Sequence, residues 1–144
     1  MRYHRVVLDT RFPVSLHIMT SLAHAEGELM NSENLAKSIQ TNPTVVRRLV
    51  SKLVSAGLIQ SFKGKSGGIK LAKSPKQIFL SEIYSATDHG APFSAPNKKP
   101  VKACQVSCSM AKIFKSLFHD IEKAQLDYMG NISLADIVKQ VHEK

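Results

Sequence analysis

Asn31-Ser32-Glu33-Asn34-Leu35-Ala36-Lys37-Ser38-Ile39, followed by Gln40-Thr41-Asn42-Pro43 and Thr44-Val45-Val46-Arg47-Arg48-Leu49-Val50-Ser51-Lys52-Leu53, is the stretch whose reading decides the fold. Apolar residues at 35, 36 and 39 make one stripe of a short helix, with Asn31 and Ser32 standing before it as capping residues. Asn42 suits the next N-cap because its side chain can accept an orphan N–H. Pro43 suits the first helical position, where its missing donor costs nothing. The second helix, from Pro43 to Ala56, places Val46, Leu49, Val50 and Leu53 on one face and Thr44, Val45, Arg47, Arg48, Ser51 and Lys52 on the other. One face packs, and the other carries positive charge.

Outward from this pair, Gly57 supplies a left-handed helix end, and Leu58 to Lys63 is short and apolar enough for a strand. Gly64-Lys65-Ser66-Gly67-Gly68 turns the chain, and Ile69-Lys70-Leu71 returns antiparallel. Helix, turn, helix and two-stranded wing together form a shape for reading DNA. Gly64-Lys65-Ser66 does not complete a phosphate-binding loop. That motif needs a glycine five positions before Gly64, where Ile59 stands inside a strand entry.

The order and spacing of Leu35-Ala36, Asn42 to Leu49, Ala56-Gly57-Leu58-Ile59 and Lys63 to Gly68 followed by Leu71 resemble the Rrf2 family of bacterial transcription regulators. The ends agree with it, Arg11-Phe12-Pro13-Val14 opening a first helix and Ser133 to Ile137 closing the chain. The resemblance implies a mainly α fold with a small β wing: a winged helix-turn-helix lobe over residues 1–88, a loop with a cysteine pair over 89–106, and a dimerisation helix with a short last helix over 107–144. It implies a homodimer binding a palindrome-like operator in double-stranded DNA, acting as a repressor. It also places Thr44, Val45 and Arg48 where family members approach bases, and Lys63 and Gly64 at the wing tip near the minor groove. Arg48 can offer two parallel donors to guanine. Val45 meets either a thymine methyl or the underside of the wing. Ser32, Thr41, Arg47, Lys52, Lys65 and Lys70 suit phosphates, contacts that fix register without reading sequence.

Charge supports the same half of the chain. The net charge is +9, and residues 1–74 hold eleven Lys or Arg against four acids, whereas residues 75–144 hold nine against seven. The basic excess sits with the helix-turn-helix. With 144 residues and 43% hydrophobic content, one core is expected. No apolar run reaches membrane-spanning length and no signal-peptide pattern opens the chain, so a cytoplasmic protein without a membrane partner is expected. No constellation of nucleophile, base and orienting acid suggests an enzyme. Six scattered histidines lack metal-ligand spacing, and no metal site is expected.

Elsewhere, Thr10 is expected to cap a helix running from Arg11 to about His24, its apolar residues forming the buried centre of the lobe. The arm from Met1 to Asp9 suits either a partner subunit or a phosphate backbone. A short helix from Leu80 ends by Asp88-His89-Gly90, and the Pro- and Lys-rich run from Ala91 to Lys102 reads as an exposed loop. A long helix from about Ser107 to Met129 carries an apolar stripe that needs a partner surface, and Ser133 caps a last short helix that docks back.

Cys104 and Cys108, the only cysteines, stand where loop meets long helix. Cluster-binding Rrf2 proteins resemble one another in having three cysteines here. With two, the resemblance implies the branch without an iron–sulfur cluster and no cofactor. A cluster would need a ligand borrowed from a carboxylate, a histidine or the partner subunit. A helix N-terminus with Lys98, Lys99 and Lys102 nearby makes a thiol reactive, so Cys104 and Cys108 are candidates for redox sensing. Two reduced cysteines without a role are the alternative, as are an iron–sulfur or metal-dependent sensor and a regulator docked on a metabolic enzyme through the 91–102 loop.

Overall fold

Helix α3 (Pro43–Ser55) turns Val46, Leu49, Val50 and Leu53 into the core of a computed structural model that describes residues 9–87 and 90–143. The arm before Asp9 and the expected helix end at Asp88-His89 lie outside the described residues. Beneath α3 run α1 (Arg11–His24), which contributes Ile18, Met19 and Leu22, and α2 (Ser32–Ile39), which contributes Leu35 and Ala36. Each fully buried branched side chain adds about 1.5–3 kcal/mol of transfer free energy.

Caps fix the helix starts. The Asn31 side chain accepts from the Asn34 N–H at 2.8 Å and the Asn42 side chain from the Thr44 N–H at 2.8 Å, as expected. Thr10, expected to cap α1, does not. Its φ of −102° and ψ of 7° depart from the extended cap conformation, and the Asp9 carboxylate instead accepts the Arg11 N–H at 3.0 Å and pairs with the Arg11 guanidinium. Between α2 and α3 the bend is made at Gln40, left-handed at φ 61°, which lets the Thr41 N–H reach back to the Ala36 carbonyl at 3.0 Å. Nothing in a glutamine advertises a positive φ, so the sequence carries no sign of this bend.

The wing is β1 (Ile59–Phe62) paired antiparallel with β2 (Gly68–Leu71), Ile59 opposite Leu71 and Phe62 opposite Gly68. β1 is shorter than the Leu58 to Lys63 run suggested, whereas β2 begins one residue earlier than expected, at Gly68. An unforeseen bridge adds Met30 to its edge: Met30 and Ile69 exchange N–H···O bonds of 3.0 and 2.8 Å. The wing root is thereby tied to the segment entering α2.

After a 3-10 turn at Pro75–Gln77, α4 (Leu80–Ala86) buries Leu80 and Ile83. The long helix α5 spans Gln105–Gly130, starting two residues earlier than expected with Cys104 as its cap, and no residue of it is buried. Then α6 (Leu134–His142) returns to the lobe. The Leu134 N–H bonds the Ile78 carbonyl at 2.7 Å, the Leu80 N–H bonds the Ile132 carbonyl at 3.0 Å, and Leu134 is wholly buried. Ser133 and Asp136 form a reciprocal capping box.

Two predictions follow from the backbone. Gly68 has a φ of +151°, and a Cβ there would stand 2.8 Å from the Met30 carbonyl oxygen, whereas at Gly57 (φ +77°) it would meet open space. Gly57→Ala therefore costs only conformational strain of about 1–2 kcal/mol, and Gly68→Ala costs about 1–3 kcal/mol more in urea unfolding; equal costs would show that the Met30 edge is not held in solution. The Ser133 backbone N–H, and then its hydroxyl, hold the Asp136 carboxyl below its ordinary value. The stabilisation is complete above the ordinary carboxylate range and is lost as pH falls through the lowered folded-state value. Asp136→Asn should flatten the acid side of the pH profile of the urea midpoint relative to wild type.

Candidate nucleic-acid interface

Burying one flank of α3 exposes the other. Thr44, Val45, Arg47 and Arg48 all face solvent, with Val45 38% exposed. Val45 keeps more than a third of its surface open. It lines a recess of about 240 Å³ with Thr10, Arg11, Arg48, Leu49 and Lys52, where the start of α1 meets α3. Arg48 and Lys52 are one helical turn apart on the same rim, and Arg11 faces them. The sequence marks Arg11 only as the start of the first helix, since only the crossing of α1 and α3 brings it to this recess.

Arg47 pairs with Glu33 of α2 at 3.6 Å, both side chains more than half exposed. Such a pair is worth little in water, so Arg47 is available to a competing phosphate. Ser32 and Thr41 lie half-buried at opposite ends of α2. Lys63, Gly64 and Lys65 form the exposed wing tip, where Gly64 takes φ +100° and its carbonyl accepts the Gly67 N–H at 3.0 Å.

On the outer face of the wing, the Lys70 ammonium stands 5.2 Å from the centre of the Phe62 ring. Phe62 is 44% exposed. The sequence reading assigned Phe62 only to a strand; its alternation with buried Ile59 is the signal that could have placed it outward. Arg47, Arg48, Lys52, Lys63, Lys65 and Lys70 thus lie on two adjacent projections, helix and wing. That arrangement matches a duplex, whose major groove admits a helix while its flanking phosphates take the cations.

The cysteine pair is elsewhere. Cys104 Sγ accepts the Ser107 N–H at 3.4 Å, and the Cys108 thiol donates to the Val101 carbonyl at 3.5 Å. An iron–sulfur cluster held by thiolates takes four, and the residues here do not fit one. The chain has two cysteines, and no group of three or more His, Cys, Asp or Glu among the described residues could hold a metal ion.

His17 and His24 are both exposed: His17 Nε2 lies 3.1 Å from the Ser38 hydroxyl, and the His24 ring rests 5.1 Å from that of His142. No helix among the described residues is long and apolar enough to cross a membrane.

Helix-turn-helix, wing and outward basic flank define a winged-helix DNA-binding protein. Residues 8–140 match the family model Rrf2, whose description is iron-dependent transcriptional regulator, and the chain belongs to that family. It is 29% identical to the HTH-type transcriptional regulator YwnA of Bacillus subtilis over 94% of this chain and 99% of that protein. Among solved structures, a protein assigned to DNA binding superposes with a TM-score of 0.71 at 30% identity, covering 88% of this chain and 97% of the other. CymR, the global cysteine regulator of B. subtilis, superposes with a TM-score of 0.69 at 24% identity, covering 94% and 98%. The chain is a DNA-binding transcriptional regulator, and its relatives are regulators rather than enzymes.

Proposed function

We propose that the protein acts as a homodimeric repressor that sets two copies of α3 into successive major-groove faces of a palindrome-like operator. The observation carrying this reading is the division of α3, whose apolar flank anchors it and whose Arg47, Arg48 and Lys52 flank is turned out. Pairing is supported by α5, which leaves Val106, Ile113, Leu117 and Tyr128 exposed along one face, at 47% and 48% for Ile113 and Leu117. An apolar stripe of that length on a lone protomer favours a second copy.

Thr44, Val45 and Arg48 then meet base edges, Val45 offering its methyls to a thymine methyl and Arg48 its two donors to guanine O6 and N7. Ser32, Thr41, Arg47, Lys52, Lys65 and Lys70 meet phosphates, and Lys63 and Gly64 enter the minor groove. In the complex, Arg47 exchanges Glu33 for a phosphate. Lys70 is held toward the backbone by the Phe62 ring.

Arg48→Ala should cost about 1–3 kcal/mol of operator binding and relax preference at one base position. Lys52→Ala should weaken all sequences alike and lower the salt slope by about one. Both are read by titrating operator and scrambled DNA at several salt concentrations; equal loss on the two DNAs for both variants overturns the assignment of roles.

A second element of the reading is thiol modulation, favoured by Cys104 capping α5. The cysteines are one helical turn apart, about 6 Å between Cα atoms, a span that a disulfide accommodates. Hypochlorite would join the two sulfurs, taking two electrons while two protons are released, and the Cys104 sulfur would be drawn from the Ser107 N–H that it now accepts. Operator affinity should change on hypochlorite treatment of wild type and not of Cys104→Ser/Cys108→Ser. Unchanged wild-type affinity removes the switch.

A further inference from the structure

Between Asp88 and Asp120 the chain has no acid and five lysines, Lys98, Lys99, Lys102, Lys112 and Lys115. This charge lies on the strap 90–103 and the first half of α5, outside the helix-turn-helix and wing. The strap is exposed throughout but held in place. Its Val101 N–H donates to the Ser107 hydroxyl at 2.9 Å, and its Val101 carbonyl accepts from the Cys104 N–H at 2.9 Å. The Lys98 N–H closes a turn onto the Pro96 carbonyl, and Phe93 lies on Phe118 with ring centres 5.6 Å apart.

Strap and helix enclose a groove of about 240 Å³. Pro96, Lys98 and Lys99 form its wall, and Met110, Ala111 and Phe114 its floor. Phe114 is steadied by stacking on Phe118 at 5.1 Å and 15°. These floor residues lie to one side of the Val106, Ile113 and Leu117 stripe, on the neighbouring face of the helix.

A phosphate backbone has no use for an apolar floor, and an uncharged apolar molecule has none for two ammonium groups with no acid among the described residues lining the groove. The combination fits an amphiphile bearing one negative charge. The volume falls below the roughly 300–1,000 Å³ of pockets for drug-sized ligands, so the molecule is small. We infer that this groove binds a small monocarboxylic acid with an apolar tail, its carboxylate between Lys98 and Lys99 and its tail on Met110 and Phe114. Bound there, the acid bridges the strap to the first turns of α5, the helix proposed to pair the subunits. The site does not depend on that pairing or on any DNA contact.

Octanoate is the probe, titrated into the full chain carrying 13C-labelled methionine methyls. The Met110 methyl should shift saturably, and binding should weaken by about tenfold or more, at least 1.4 kcal/mol, in Lys98→Gln/Lys99→Gln and in Ala111→Phe. Octyltrimethylammonium should leave Met110 unmoved. Met19 and Met30, in the lobe, report that each variant is folded. The inference is overturned by a Met110 signal that ignores octanoate, that responds undiminished in both variants, or that responds equally to the cation. DNA binding is not part of the readout, so failure here leaves the operator reading standing, and loss of operator binding leaves this one.

Discussion

Everything the reading head does depends on the burial of Val46, Leu49, Val50 and Leu53 against α1 and α2. A helix has one rotational setting about its axis that removes all four from water. Once it is taken, Thr44, Val45, Arg47 and Arg48 have nowhere to point but outward. Hydrophobic packing, which carries no information about DNA, thereby aims the groups that do. The wing is aimed in the same way, since buried Ile59 and Ile69 leave Phe62 and Lys70 on the outer face. Met30 ties that hairpin to the entry of α2.

The second half of the chain follows another logic. The buried core ends with Leu134, which returns to the lobe after α5, and α5 adds no buried residue to it, only the partly buried Met129 packed against it. A 26-residue helix without a buried residue cannot be explained by the stability of one protomer. Its surface is accounted for by the proposed second copy on the Val106, Ile113 and Leu117 face and by the strap that lies beside it on the Met110 and Phe114 face. The strap is stapled to the first turn of α5 through Val101, Ser107 and the two cysteines. Thiol chemistry, ligand occupancy and subunit pairing would therefore act on one short length of helix, away from the residues proposed to contact DNA.

The helix-turn-helix, the wing and the last helix were legible because each is announced locally. Asn42-Pro43 states a helix start, Gly57 an end, and the spacing of Val46, Leu49, Val50 and Leu53 a buried face. Local grammar also misled where two neighbours competed. Thr10 has the chemistry of a cap but lost the role to Asp9, whose carboxylate engages both the backbone and the guanidinium of Arg11. Gln40 was silent because a non-glycine residue at the left-handed end of a helix carries no local mark of that conformation.

Periodicity along one chain thus settled which residues of each element are apolar, the order of the elements, and that the basic excess belongs to the first half. These are properties of neighbours in sequence. What had to await the folded molecule are relations between distant segments: Arg11 beside Arg48 and Lys52, Glu33 on Arg47, Lys70 over Phe62 and Met30 on Ile69. The angles at which helices cross and the register in which strands pair are set by all the side chains of the core at once. No window of sequence contains them.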